Sequence, residues 1–279
     1  MAPVTRGAMR RVLPTVVALA VGGVLFSYGN LHSPRPPGPE SLMSVALPVP
    51  LQLLYAAGDR YLAANVGAWR AVMVGTGKLP PETLHALARV QEDVSWLNPG
   101  HEDNYYTATA ILPWEGEVEP TQVVLDRATH ARPADVYPPF YLGFNRIHFL
   151  GDVQGAVDAL LVAAARAPDE GTRQALTAMA ARWSEKSDDT EIAIQMVRVM
   201  IASAADGAFK TYLRQREERL QGLRTLREAQ TRFVHDRGAP PQRIEDLVSG
   251  GYLARLPVDP LEGGYTIKNG NVVLLPAKR

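Results

Sequence analysis

The chain has 279 residues, 29 basic and 29 acidic side chains, and no cysteine. Zero net charge argues against nucleic acid as a main partner, since phosphate binding wants a concentrated basic surface. The missing cysteines exclude disulfide scaffolds, thiol nucleophiles, zinc thiolate sites, thiol-linked haem and a lipoprotein anchored through a lipidated cysteine. The neutrality conceals a division: residues 1–39 carry +4, residues 40–200 carry −8, and residues 201–279 carry +4.

Residues 1–11 form a basic end with Arg6, Arg10 and Arg11. Residues 12–28 follow without a charge, and the first acid is Glu40. Such a run predicts a single transmembrane helix whose basic end stays in the cytoplasm. The exit, Phe26-Ser27-Tyr28-Gly29-Asn30, lacks small residues placed for cleavage, and Tyr28 suits a membrane interface. The expectation is an uncleaved anchor in a bacterial inner membrane, with the remaining chain periplasmic; a cleaved signal peptide and a buried soluble helix are the alternatives. Gly22 and Gly23 would let another membrane helix approach closely.

Residues 29–50 are proline-rich, with Pro34, Pro36, Pro37, Pro39, Pro48 and Pro50. Proline removes backbone donors and favours extended chain. Two readings stay open: a stiff spacer between membrane and domain, or a strap on the domain surface.

From residue 51 to 237 the apolar spacing turns helical. The first helix is expected from Leu51 to the Gly75–Gly77 region, with Leu54, Ala57, Tyr61, Leu62, Asn65, Trp69 and Val72 as its apolar stripe. A second, opening with Pro81 and Glu82, carries Leu84, Leu87, Ala88 and Val94. Then a period of 35 residues appears, relating Tyr105 to Phe140, Leu112 to Ile147, Gly116 to Gly151, Leu125 to Leu160, Ala128 to Ala163 and Pro133 to Pro168. A period of this length is the mark of a helix–turn–helix unit repeated in tandem.

These positions resemble the tetratricopeptide-repeat (TPR) family pattern of bulky, small, bulky, Gly, Ala, bulky, Ala and Pro residues. The second unit matches at Phe140, Ile147, Gly151, Ala156, Leu160, Ala163 and Pro168, and departs at Phe144, where a small residue is usual. The first matches at Tyr105, Leu112, Gly116, Leu125, Ala128 and Pro133, with Thr121 in place of Ala and Pro113 cutting its first helix short. The resemblance implies stacked helix pairs with a concave surface. Further helices are expected at 170–187, from Asp188-Asp189 onward, and, beyond a break at Asp206-Gly207, in a charged segment with Leu213, Leu220, Leu223 and Leu226 inward.

Residues 238–279 change character. A short helix from Pro241 to Ser249 precedes two strands around Asn269-Gly270, a favoured hairpin turn. Leu256-Pro257-Val258-Asp259-Pro260 with Gly264-Tyr265 is similar to the LP-x-DP…GG-x-Y stretch of type II secretion pseudopilins. The resemblance implies an exported bacterial setting, with the hairpin as a cap or docking element.

No catalytic motif stands out. His101-Glu102-Asp103 is the densest polar group, but it has no matching ligand elsewhere, so neither metal nor cofactor is expected. Glycines Gly75 and Gly77 mark a turn, and no serine sits in a G-x-S-x-G elbow. Binding is the better reading. Asn104, Tyr105, Tyr106, Tyr141, Asn145 and His148 fall on the first helices of the repeated units, where a concave surface meets an extended peptide or a partner helix. Asn145 stands first among them because its amide can pair with a peptide backbone. Trp114, Tyr137, Phe140 and Phe149 are expected to pack. The fold expected is mainly α, and the role expected is a non-catalytic scaffold or accessory subunit of a membrane protein complex. A periplasmic peptide-binding adaptor and a cell-envelope enzyme are the alternatives.

Overall fold

The computed structural model describes residues 20–24, 43, 45–74 and 79–277. It is mainly helical, with one small antiparallel sheet at its C-terminal end. The run 12–28 lies outside the described residues apart from 20–24, which are helical. No helix among the described residues is long and apolar enough to cross a membrane. A side chain added at Gly22 or Gly23 would meet no atom within 4 Å, so neither glycine packs against another described element.

The helical array runs α1 (Val49–Tyr55), α2 (Arg60–Met73), α3 (Pro81–Leu97), α4 (Glu102–Ile111), α5 (Val118–Ala131), α6 (Tyr137–Asn145), α7 (Val153–Ala165), α8 (Glu170–Ser184) and α9 (Thr190–Ser203). Caps set many of the starts. Asp59, Asp152, Asp169 and Asp189 each accept backbone N–H groups in the first turn of the following helix. Proline opens α3, where its missing donor costs nothing. Consecutive helices pack in sequence: α2 on α3, α5 on α6, α6 on α7, α7 on α8. Alternate helices also touch, with α2 against α4, α4 against α6 and α3 against α5. The first helices of successive pairs therefore form one layer, and the second helices another.

The 35-residue period has a structural counterpart. Gly116 and Gly151 both end the first helix of a pair in the left-handed region, at φ 96° and 68°, where a side chain would be strained. Leu125, Leu160, Ala128 and Ala163 are all buried in the second helices. The two first helices finish differently: α4 passes into a 3-10 turn at Leu112–Glu115 containing Pro113, and α6 into a π turn at Arg146–Leu150.

Two expectations for the first helix need correction. A break at Ala56–Gly58 divides it, with Ala57 at φ 52° and Gly58 at φ 86°, and Asp59 restarts it. The stripe of large residues also points outward. Tyr61, Leu62, Trp69 and Val72 are exposed, while Ala63, Ala64, Gly67, Ala68 and Ala71 face the core. Close approach explains the choice: a Cβ on Gly67 would lie 2.7 Å from a Val94 methyl of α3. Small residues let the helix axes come together, and the large ones are left over. The Gly75–Gly77 turn lies outside the described residues.

Helix α10 (Ala208–Arg237) begins after Gly207 and carries the C-terminal module. Helix α11 (Asp246–Ser249) is shorter than the 241–249 expected. Strands β1 (Tyr265–Lys268) and β2 (Asn271–Leu274) pair Tyr265 with Leu274 and Lys268 with Asn271. Asn269 and Gly270 both have positive φ, as a two-residue primed turn requires. The hairpin lies on α10. Arg219 is fully buried there: its guanidinium donates to the Leu275 carbonyl and stands 3.5 Å from Asp259. Asp259 in turn accepts from the Leu261 and Gly264 amides at 2.9 and 2.6 Å. The Tyr265 hydroxyl donates to the Arg219 carbonyl at 3.0 Å, across a gap that only Gly222 leaves open. The residues that carry the pseudopilin resemblance are thus the ones that join hairpin to helix.

The core follows the chain in three successive clusters. The first spans Met43 to Leu142 with Ala159, the second spans α7 to the start of α10, and the third joins α9 and α10 to Ile244, Leu247 and Val272. Such a core is built by neighbours stacking on neighbours.

Candidate functional site

Six positions were expected to meet a partner, and the structure separates them. Asn104, Tyr105 and Asn145 are buried, with relative exposures of 2%, 0% and 0%. All three lie beneath the surface, and neither amide atom of Asn145 has a hydrogen-bond partner among the described residues. The Asn104 amide donates to the Gln91 carbonyl of α3 at 3.0 Å, tying first helix to second. Asn145 sits at the end of α6, just before the π turn, on the side turned into the array.

Tyr106 and Tyr141 do come together. Their rings meet edge-on at 5.8 Å, and Tyr137 lies 6.1 Å from Tyr106 and 6.2 Å from Tyr141. Tyr137 is exposed, although packing was expected of it. Burial, then the neighbouring Tyr106 and Tyr137, push the Tyr141 phenol above its ordinary range, so all its hydroxyl offers near neutral pH is a neutral donor and acceptor.

Behind these rings lies a polar frame. The Tyr105 hydroxyl donates to Asp135 at 2.9 Å, and Arg132 donates to the same carboxylate oxygen at 2.7 Å. Arg132 also reaches Glu102 at 2.9 Å and the Gly100 carbonyl at 3.2 Å, and covers the Tyr105 ring. Arg166 of the α7 end donates to the carbonyls of Thr129, Arg132 and Asp135, tying the α5–α6 turn to the next pair. Burial pushes Asp135 up, but the Tyr137 amide, Arg132 and Tyr105 outweigh it and hold the carboxyl below the usual carboxylate range. Burial, then Tyr106 and Asp135, push the Tyr105 phenol up. The frame is therefore a fixed ion pair with a neutral phenol, suited to holding a surface in shape.

Two grooves flank Tyr106. One, of about 480 Å³, is lined by Asn65, Trp69 and Val72 of α2 and by Asp103, Tyr106 and Thr107 of α4. The other, of about 580 Å³, is lined by Tyr106, Arg132, Asp135, Tyr137 and Arg166. Tyr106 lines both: the first lies between α2 and α4, and the second sits at the α5–α6 turn beside the end of α7. Trp69, 60% exposed, lines the first of them. Sequence reasoning placed Trp69 on the apolar stripe of the first helix; the stripe of alanine and glycine on the opposite side of α2 was the signal that it lies outside.

His148 belongs to a separate patch. It stacks on Phe144 at 5.3 Å and lies 5.5 Å from Trp114, which meets Phe149 edge-on at 5.1 Å. Trp114 is 58% exposed, so it caps the patch at the surface instead of packing inside. Among the described residues no group of three His, Asp or Glu side chains is placed to hold a metal.

No protein-family model matches the chain, and neither a curated protein nor a solved structure matches it.

Proposed function

We propose that this chain is a non-catalytic binding and organising subunit, whose TPR-like array holds an extended segment of a partner protein along the Trp69–Tyr106–Tyr137 path. The observation that carries this reading is that Tyr106 lines two grooves, one shared with Trp69 and the other with Tyr137. Aromatic rings supply large contact area at low entropic cost, and the polar frame beneath fixes their positions. The apolar run 12–28 would hold this surface at a membrane, and the acidic charge of residues 40–200 favours a basic partner segment.

The test is selection of peptides on the full-length chain in mild detergent, followed by affinity measurement with Trp69→Ala and Tyr106→Ala. Each substitution is expected to weaken the selected peptides by about tenfold or more. A saturating library that yields no binder, or binders indifferent to both substitutions, would remove this reading.

A second reading draws on the Trp114–Phe144–His148–Phe149 patch. An exposed aromatic cluster away from the groove suits a permanent contact within a larger assembly. Co-purification of a stoichiometric subunit that survives Trp69→Ala but is lost with Trp114→Ala would favour it.

A further inference from the structure

Helix α2 has two apolar faces, and the repeat array covers one of them. Ala63, Ala64, Gly67, Ala68 and Ala71 pack inward, while Tyr61, Leu62, Trp69, Val72 and Met73 are 57%, 48%, 60%, 55% and 42% exposed on the outer side. The two charges of the helix, Arg60 and Arg70, fall outside the outer stripe and bond the Leu97 and Val45 carbonyls. A helix that is apolar on all sides belongs inside a protein. The outer stripe, in which Asn65 alone is polar, therefore calls for a cover.

The spacing of the stripe says what fits it. Its six positions are symmetric about residue 67: Tyr61 and Met73 stand equally far from it, as do Leu62 and Val72, and Asn65 and Trp69. A twofold axis at that level relates α2 to an antiparallel copy of itself. It sets Tyr61 of one helix beside Met73 of the other, Leu62 beside Val72, and Asn65 beside Trp69. At about 100° per residue, the two members of each pair lie on opposite sides of the stripe's midline, so the side chains interleave instead of colliding. The two Asn65 residues come within about 6 Å of each other along the axis, and a lone polar group in an apolar seam fixes its register. At roughly 100 Å² of uncovered surface for each of the five large side chains, two copies hide about 1,000 Å², the size at which specific interfaces begin. The formal net charge of the chain is zero, so copies do not repel one another. A lipid surface is a poorer match, because interfacial helices carry Lys and Arg and residues 40–200 carry −8.

We propose that the outer stripe of α2 is a homodimer surface, and that its occupant is the α2 stripe of a second copy, antiparallel and crossing at the level of Gly67. The dimer does not depend on the groove being a peptide site, but the two meet at Trp69 and Val72, which line the α2–α4 groove. Dimerisation covers that groove and leaves the one at the α5–α6 turn open. A peptide in the first groove therefore competes with the second copy.

Leu62 belongs to the stripe but not to the groove, so it separates the two readings. The full-length protein in mild detergent is expected to be dimeric by light scattering. Leu62→Glu is expected to raise the dissociation constant of the dimer at least tenfold, with its helices intact by circular dichroism and its affinity for selected peptides unchanged or raised. An original protein that is monomeric at about 100 µM, or a dimer that persists with Leu62→Glu, would overturn the proposal. The cysteine-free chain gives the orientation. Tyr61→Cys mixed with Met73→Cys is expected to couple through a short bismaleimide about tenfold faster than either variant with itself, while Thr225→Cys on α10 gives only background. Coupling of like with like at the same rate would overturn the antiparallel pair. Quenching of a fluorophore on Leu62→Cys by brominated lipid, in vesicles carrying the protein, would overturn it too and give the stripe to the membrane. Loss of every selected peptide with the dimer intact strikes the groove reading alone.

Discussion

The molecule uses the same three residue types twice and to opposite ends. In the repeat array, Tyr105, Asp135 and Arg132 meet at the back of a groove, where the Arg132 side chain is 29% exposed and Asp135 13%. In the C-terminal module, Tyr265, Asp259 and Arg219 meet between α10 and the hairpin, where the Arg219 side chain is 1% exposed and Asp259 3%. The first trio is still reached by solvent and shapes a surface. The second is closed off and fastens one element to another. A cluster of arginine, carboxylate and tyrosine does not by itself mark a site; the aromatic surface beside it decides. Beside Asp135 stand exposed Tyr137 and the Tyr106 ring, whereas beside Asp259 the same space is filled by β1 and α10.

The largest expected effect separates the two trios by stability. Arg219→Ala strips the buried guanidinium from Asp259 and from the Leu275 carbonyl, and losing one partner of a buried pair costs about 3 kcal/mol or more. Arg132→Ala, at a partly solvated pair, is expected to cost about 1 kcal/mol. Urea unfolding of both variants checks the order, and limited proteolysis of Arg219→Ala should cut first in the 257–275 stretch. Equal losses would erase the distinction between a fastening and a frame.

A smaller effect concerns acid. Because Asp135 is held below the ordinary carboxylate range in the native state, it contributes stability at pH values above its unfolded pKa of about 3.9. That contribution fades as the pH falls below this value and through the native one. Tyr105→Phe removes one of the bonds that hold the carboxyl down, so it is expected to cost about 1 kcal/mol near neutral pH and progressively less below pH ~4. Stability curves of the two proteins between neutral and strongly acid pH should converge. A constant gap would show that the phenol acts through packing, not through Asp135.

What was readable in advance follows from range. Helix starts were legible because a cap is a local event: Asp189 and Pro81 act on the next few residues, and α9 and α3 begin beside them. The hairpin at Asn269-Gly270 was legible for the same reason. The break at Ala56–Gly58 was not, since an alanine at φ 52° carries no local preference for that region and is held there by the helices on either side. Nor was the facing of α2. Periodicity reports that a stripe exists, and α2 has two, one large and one small. Which stripe turns inward depends on the distance to α3, fixed by the contact of Gly67 with Val94. The groove therefore was half visible: Tyr106 stood out as a ring-bearing position of the repeated unit, while Trp69 was read as part of the apolar stripe and Tyr137 as packing.

Asn145 gives the smallest predicted effect and the sharpest check on that division. Its amide chemistry suits a peptide backbone, and its position on the first helix of a pair suggested the concave surface. Yet α6 turns it inward, and a fully buried side chain meets no ligand unless the array opens. Asn145→Ala is therefore expected to leave peptide affinity within about twofold of the original, whereas Tyr106→Ala lowers it by about tenfold. The two residues belong to neighbouring first helices, so one binding series compares them directly. A tenfold loss with Asn145→Ala and an unchanged affinity with Tyr106→Ala would move the binding surface to the other side of α6, away from the groove and toward the Trp114 patch.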